Sequence, residues 1–110
     1  MQGTIISLKA DGTKQVTNLN RAPTLDDIKS AIGGGHIELV STFNAFRHEG
    51  NYFACAVFCD EEGKIKQLPV NKYATVLWAN ILRCEYSEML DYIAGDIAIV
   101  FGDSEFESEL

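Results

Sequence analysis

After Arg83 this chain of 110 residues contains no lysine or arginine. Glu85, Glu88, Asp91, Asp96, Asp103, Glu105, Glu107 and Glu109 place eight acids in that terminal stretch. Residues 1–84 carry eight acids against nine bases, so the whole net charge of −7 belongs to the last 26 residues. Nucleic-acid binders replace counterions with Lys and Arg, so direct nucleic-acid binding is not expected there. No apolar run approaches the roughly 18 residues of a membrane span, and no membrane partner is expected. The start, Met1-Gln2-Gly3-Thr4-Ile5-Ile6, lacks a basic segment followed by a long apolar one. It is therefore not expected to act as a secretory signal, and a cytoplasmic location follows.

Cysteine and histidine are scarce as well. The three cysteines and two histidines form no Cys-x-x-Cys, no His-x-x-x-His and no other paired ligand set, so neither a metal site nor a cofactor is expected. Cys55 and Cys59 fall in one apolar run, Tyr52 to Cys59. On one face of a continuous strand they would lie about 13 Å apart at about 3.3 Å per residue. A disulfide needs Cα atoms within about 7 Å, so these two are expected to be free, buried thiols. An activated thiolate wants an electropositive, partly exposed setting, which such a run does not offer. No other catalytic set stands in its place, and a non-enzymatic protein is expected. The 46% hydrophobic share is ample for one core, and the length is too short for two. The expected organisation is one domain over residues 1–102 and an acidic tail over 103–110.

Local signals give an order of elements. Residues 3–9 and 13–19 are β-leaning runs around Asp11-Gly12, which predicts a hairpin. Leu25, Ile28, Ala31 and Ile32 repeat at helical spacing behind Thr24, a natural N-cap, with Asp26 and Asp27 in the first turn. That helix should stop at Gly33-Gly34-Gly35. A strand is expected over 36–43, an irregular loop over 44–51 and the central strand over 52–59. Asp60 to Gly63 should turn, with Lys64 to Lys66 returning as a short partner strand. Asn71 should cap a second helix carrying Tyr73, Ala74, Leu77, Trp78 and Ile81 along one side. Another short helix is expected around Tyr86 to Tyr92, and a final strand at 97–101. The fold class predicted is α+β, a small antiparallel or mixed sheet with two or three short helices packed on one face.

Two surfaces stand out as candidate sites. The glycines at 33–35 follow a helix and precede a strand, the reverse of a phosphate loop, and are better read as a helix stop. Lys64, Asn71, Lys72 and Thr75 fall near the start of the second helix, a setting in which an anion or a nucleotide would find positive charge and hydrogen-bond donors. The plainer account is that Asn71 caps and Thr75 packs. Glu85, Glu88, Asp91, Asp103 and Glu105 are the candidate contacts for a protein partner. Trp78 and Tyr73 would suit an interface as readily as a core.

The order Gly34-Gly35-x-Ile37-Glu38, Glu61-Glu62-Gly63-Lys64, Leu68-Pro69-x-Asn71-x-x-Ala74-Thr75 and Gly95-Asp96 resembles the family known as domain of unknown function 3846. The resemblance runs from about Thr24 to Val100, while Phe46 to Phe53 and the acidic C-terminus depart from it. It implies a small protein of bacteria, phages or plasmids, acting in the bacterial host cell, and implies no activity or catalytic residue. With the local acidity, this leads to the expectation of a phage or other mobile-element protein that binds a host or defence protein through an acidic surface. A protein that binds or sequesters a nucleotide or other anion is the alternative expectation.

Overall fold

The computed structural model describes residues 3–102. Strand β1 (Gly3–Leu8) turns through Asp11 and Gly12 into β2 (Lys14–Leu19), and the two pair antiparallel from Gly3↔Leu19 to Leu8↔Lys14. The Asp11 carboxylate accepts from the Thr13 N–H at 2.9 Å, which is the Asx turn the sequence encodes. Helix α1 (Leu25–Ala31) begins with a capping box: Thr24 Oγ1 accepts from Asp27 N–H, and Asp27 Oδ2 accepts from Thr24 N–H.

The fold is α+β. A five-stranded antiparallel sheet has the order β2-β1-β7-β6-β3, with β3 at Ile37–Leu39, β6 at Ala56–Asp60 and β7 at Ile97–Gly102. The middle strand is β7, not the run at 52–59. Every residue of β7 from Ile97 to Phe101 is buried, as a strand covered on both faces must be.

The helices do not share one face. Ile6, Leu8, Val57, Ile97 and Ile99 point to the side covered by Ala74 of α2 (Lys72–Ile81). Ile5, Ala98 and Val100 point to the other side, against Ile28 and Ile32 of the α1 region. Strand periodicity is two, so adjacent apolar residues such as Ile5-Ile6 demand cover on both sides.

The long run at 52–59 is divided. Strand β5 (Asn51–Ala54) pairs with β4 (Ala45–His48) in a separate two-stranded sheet, in the stretch expected to be a loop. Glu49 and Gly50 both have positive φ (51° and 85°), the requirement of a tight hairpin turn. Phe46 is buried and Arg47 exposed, so β4 alternates despite its polar look. Cys55 marks the break, its N–H donating to Asn44 O, and β6 then joins the main sheet.

Strand β3 is shorter than the expected 36–43. Beyond Val40 the chain turns to bury Phe43, which is 1% exposed in the α2-side core. The expected strand at Lys64 to Lys66 is a set of turns instead. Leu68 N–H donates to Gly63 O and Lys66 N–H to Glu62 O, and the Lys66 ammonium reaches back to Asp60 at 2.9 Å. Between α2 and β7 the expected helix is a single 3₁₀ turn at Tyr86–Glu88, followed by extended chain.

Candidate functional site

Asn71 and Thr75 are structural pins. Both side chains are fully buried. Asn71 Nδ2 donates to Leu8 O at 2.9 Å and Gly95 O at 3.0 Å, while its Oδ1 accepts from Ala74 N–H as the N-cap of α2. Thr75 Oγ1 donates to Asn71 O at 2.8 Å and accepts from Ile93 N–H at 3.0 Å. The donors on these side chains are spent inside the fold, so the four residues at 64–75 are not gathered around an open anion site. Gly95 completes the arrangement: its φ is +82°, and an added Cβ would fall 2.8 Å from Leu68 Cδ1.

These pins fix where residues 89–94 run. Asn71 N–H donates to Ile93 O, Gly95 N–H to Pro69 O, and Val70 bridges Ala94. The 89–92 stretch is thereby held along the start of α2, with Cys84 Sγ and Met89 Sδ 3.3 Å apart behind it. Lys64, from the turn after β6, donates to the Asp91 carboxylate. Its ammonium also lies 4.6 Å from the centre of the Tyr92 ring. Thus Lys64 and Asp91, assigned to two different candidate surfaces, meet each other. Lys72 stays exposed, 5.5 Å from the Tyr86 ring centre.

Two concavities adjoin at Asp91 and Tyr92. On one side Val70, Tyr86, Leu90 and Tyr92 line a shallow groove of about 330 Å³. Leu90 is 104% exposed and gains nothing from folding. Tyr73 and Leu82, also exposed, extend the apolar character along α2. Glu85 and Glu88 stand on the same 3₁₀ turn as Tyr86, with Glu85 N–H donating to Glu88 Oε1 at 2.8 Å. Asp103 and Glu105 lie outside the described residues.

On the other side lies a cleft of about 270 Å³, lined by Glu38, Cys59, Glu61, Lys64, Trp78 and Tyr92 among others. Sequence reading missed it, since its walls come from β3, β6, α2 and the 91–94 stretch. Trp78 Nε1 donates to Thr42 Oγ1 at 2.7 Å, holding the indole at the wall. Burial pushes the Cys59 thiol up to about 11, and the charges of Glu38 and Asp60 add to that shift. Burial also raises the Cys55 thiol to about 12. Burial alone would raise Asp60 too, but the Lys66 ammonium and the Glu62 N–H outweigh it and leave its carboxyl below the ordinary value. Asp91 is held low chiefly by Lys64, and Lys64 is raised chiefly by Asp91.

Among the described residues, neither histidine lines this cleft, and no three of His, Cys, Asp and Glu are placed to hold a metal ion. The His48 ring sits instead among Phe46, Phe53 and Phe101. No described helix is long and apolar enough to cross a membrane.

The family model for the domain of unknown function (DUF3846) matches residues 3–109, nearly the whole chain. The chain belongs to that family. The match extends past both ends of the stretch that carries the sequence resemblance, and it takes in Phe46 to Phe53. In this DUF3846 chain the resemblance residues Asn71, Thr75 and Gly95 are the hydrogen-bonded and sterically tight positions just described. Comparison with curated proteins and with solved structures gave no match.

Proposed function

We propose that this protein is a non-enzymatic binding module that docks a protein partner on the groove between α2 and residues 86–92. The supporting observation is the grouping of Val70, Tyr86, Leu90 and Tyr92 around one depression, rimmed by Glu85, Glu88 and Asp91. Isolated exposed apolar residues are ordinary, but six of the eleven large exposed ones fall between residues 70 and 92. Tyrosines beside carboxylates are the composition of a specific, partly polar interface. A host or defence protein is the partner class, as the family resemblance implies, and the acidic rim asks that partner for basic residues. The alternative, an anion or nucleotide held by Lys64, Asn71, Lys72 and Thr75, has lost two of its four side chains to the core.

Photo-cross-linking tests this reading. The full chain carrying a photoreactive residue at position 90 is irradiated in bacterial host lysate, beside a control carrying it at position 16 on edge strand β2. An adduct specific to position 90 is expected, displaced by unlabelled protein but not by Leu90→Asp protein. Equal labelling from both positions, or displacement by Leu90→Asp protein, contradicts it.

A further inference from the structure

We infer that the cleft beside the groove receives an arginine side chain of the docked protein, which deepens the reading above and rests on it. The cleft's size falls below the roughly 300–1,000 Å³ of small-molecule sites, so it suits one side chain better than a nucleotide. Its walls carry the carboxylates of Glu38, Glu61 and Asp91 together with the rings of Trp78 and Tyr92. Carboxylates next to aromatic faces are what a guanidinium uses best, because it pairs in a fork with one and stacks on the other. The acidity alone would say little. The second observation is that this wall already holds a cation: the Lys64 ammonium sits against Asp91 and over the Tyr92 ring. The field inside is negative by a separate witness, since Glu38, Asp60 and Asp91 all add to the upward shift of the Cys59 thiol, against Lys64 alone.

Glu38 and Glu61 are exposed and have no ion pair among the described residues, unlike Asp60 and Asp91. They are the carboxylates left for an incoming charge, while Lys64 competes with it for Asp91. Entry from the groove side passes Asp91 and Tyr92, which line both concavities. A basic residue flanking the docked apolar segment would therefore reach the cleft without crossing the fold.

The single tryptophan makes a direct reporter, because Trp78 Nε1–H gives one indole signal by NMR. The full chain is titrated with N-acetyl-arginine amide and, separately, with the neutral N-acetyl-citrulline amide. Arginine is expected to move the Trp78 signal in a saturable way and citrulline to leave it in place. A Glu38→Gln/Glu61→Gln double variant should bind arginine about fivefold more weakly or worse, at the scale of two exposed charge pairs. Lys64→Ala should bind it about twofold tighter or better, by freeing Asp91. No arginine response, an equal citrulline response, or an unchanged double variant overturns the inference. The two readings separate cleanly. Loss of the arginine response with a persistent position-90 adduct removes only the cleft, while an arginine response with no adduct removes the groove.

Discussion

The Lys64 ammonium is paired with the Asp91 carboxylate across 27 residues of sequence, and this pair sits at the wall between the groove and the cleft. Both side chains are about half exposed, so the pair contributes roughly 0.2–1 kcal/mol at most. Its meaning is positional, since it joins the turn after β6 to the segment that carries Leu90 and Tyr92. Lys64→Met is expected to lower stability by less than about 1 kcal/mol in urea unfolding, with little change in slope.

Asn71 and Thr75 are a different case. Asn71→Ala leaves the buried carbonyls of Leu8 and Gly95 without these donors and removes the cap of α2. The expected cost is about 3 kcal/mol or more, at about 1 for the cap and about 1–3 for each unpaired group. Thr75→Val keeps the shape but strands the Ile93 N–H, at an expected cost of about 1–3 kcal/mol. Chemical denaturation of both variants checks this, and a cost near zero would mean that these residues do not pin residues 89–94.

Acid should weaken the fold through Asp60 and Asp91. Both carboxyls are lower in the folded protein than in the unfolded chain, so near pH 4 the unfolded state binds more protons. Their contribution is present above that pH and is lost as pH falls through the folded values. Asp60→Asn should be less stable than wild type at pH 7, and the gap should narrow towards pH 2. A gap that stays constant with pH contradicts the assignment.

The thiols act at the opposite limb. Cys55 and Cys59 stand at about 12 and 11 against an ordinary 9.0, so the folded state holds their protons where the unfolded state has released them. That stabilisation is complete below pH 9 and fades as pH rises through 11 and 12. Iodoacetamide labelling of both should be slow at pH 7.5. Glu38→Gln should speed the labelling of Cys59 at pH 9, because it removes the largest cause of its shift after burial. Peptide mapping by mass spectrometry reads both rates.

Signals that lie within a few residues were legible in the sequence. The Asp11-Gly12 hairpin, the Thr24 cap with its acids, the Asn71 cap and the final strand are all encoded locally. The second hairpin was hidden because Glu49-Gly50 replaces the usual Asn-Gly or Asp-Gly, and because Arg47 and His48 look like loop residues. The division at Cys55 follows from tertiary pairing with β4 on one side and β7 on the other, which an unbroken apolar run does not announce. The cleft could not be read either, since Glu38, Glu61, Trp78 and Tyr92 meet only after the sheet has formed. The groove left one trace: Leu90, an aliphatic residue set between Glu88 and Asp91.

Leu90→Asp separates docking from folding. A fully exposed side chain away from pins and caps should change stability by no more than about 0.5 kcal/mol. Capture of the partner should nevertheless fall at least tenfold, as for a central apolar contact worth about 1.4 kcal/mol or more. Thermal unfolding and a binding isotherm on the same preparation compare the two.

Hydrogen exchange decides the matter most directly. The full chain is followed alone and bound to the protein it captures, and amide protection is mapped by peptide. Slowed exchange centred on residues 82–92 and the exposed side of α2 is the result expected. Protection confined to β2 and α1, with residues 82–92 exchanging as in the free protein, would contradict docking at this groove.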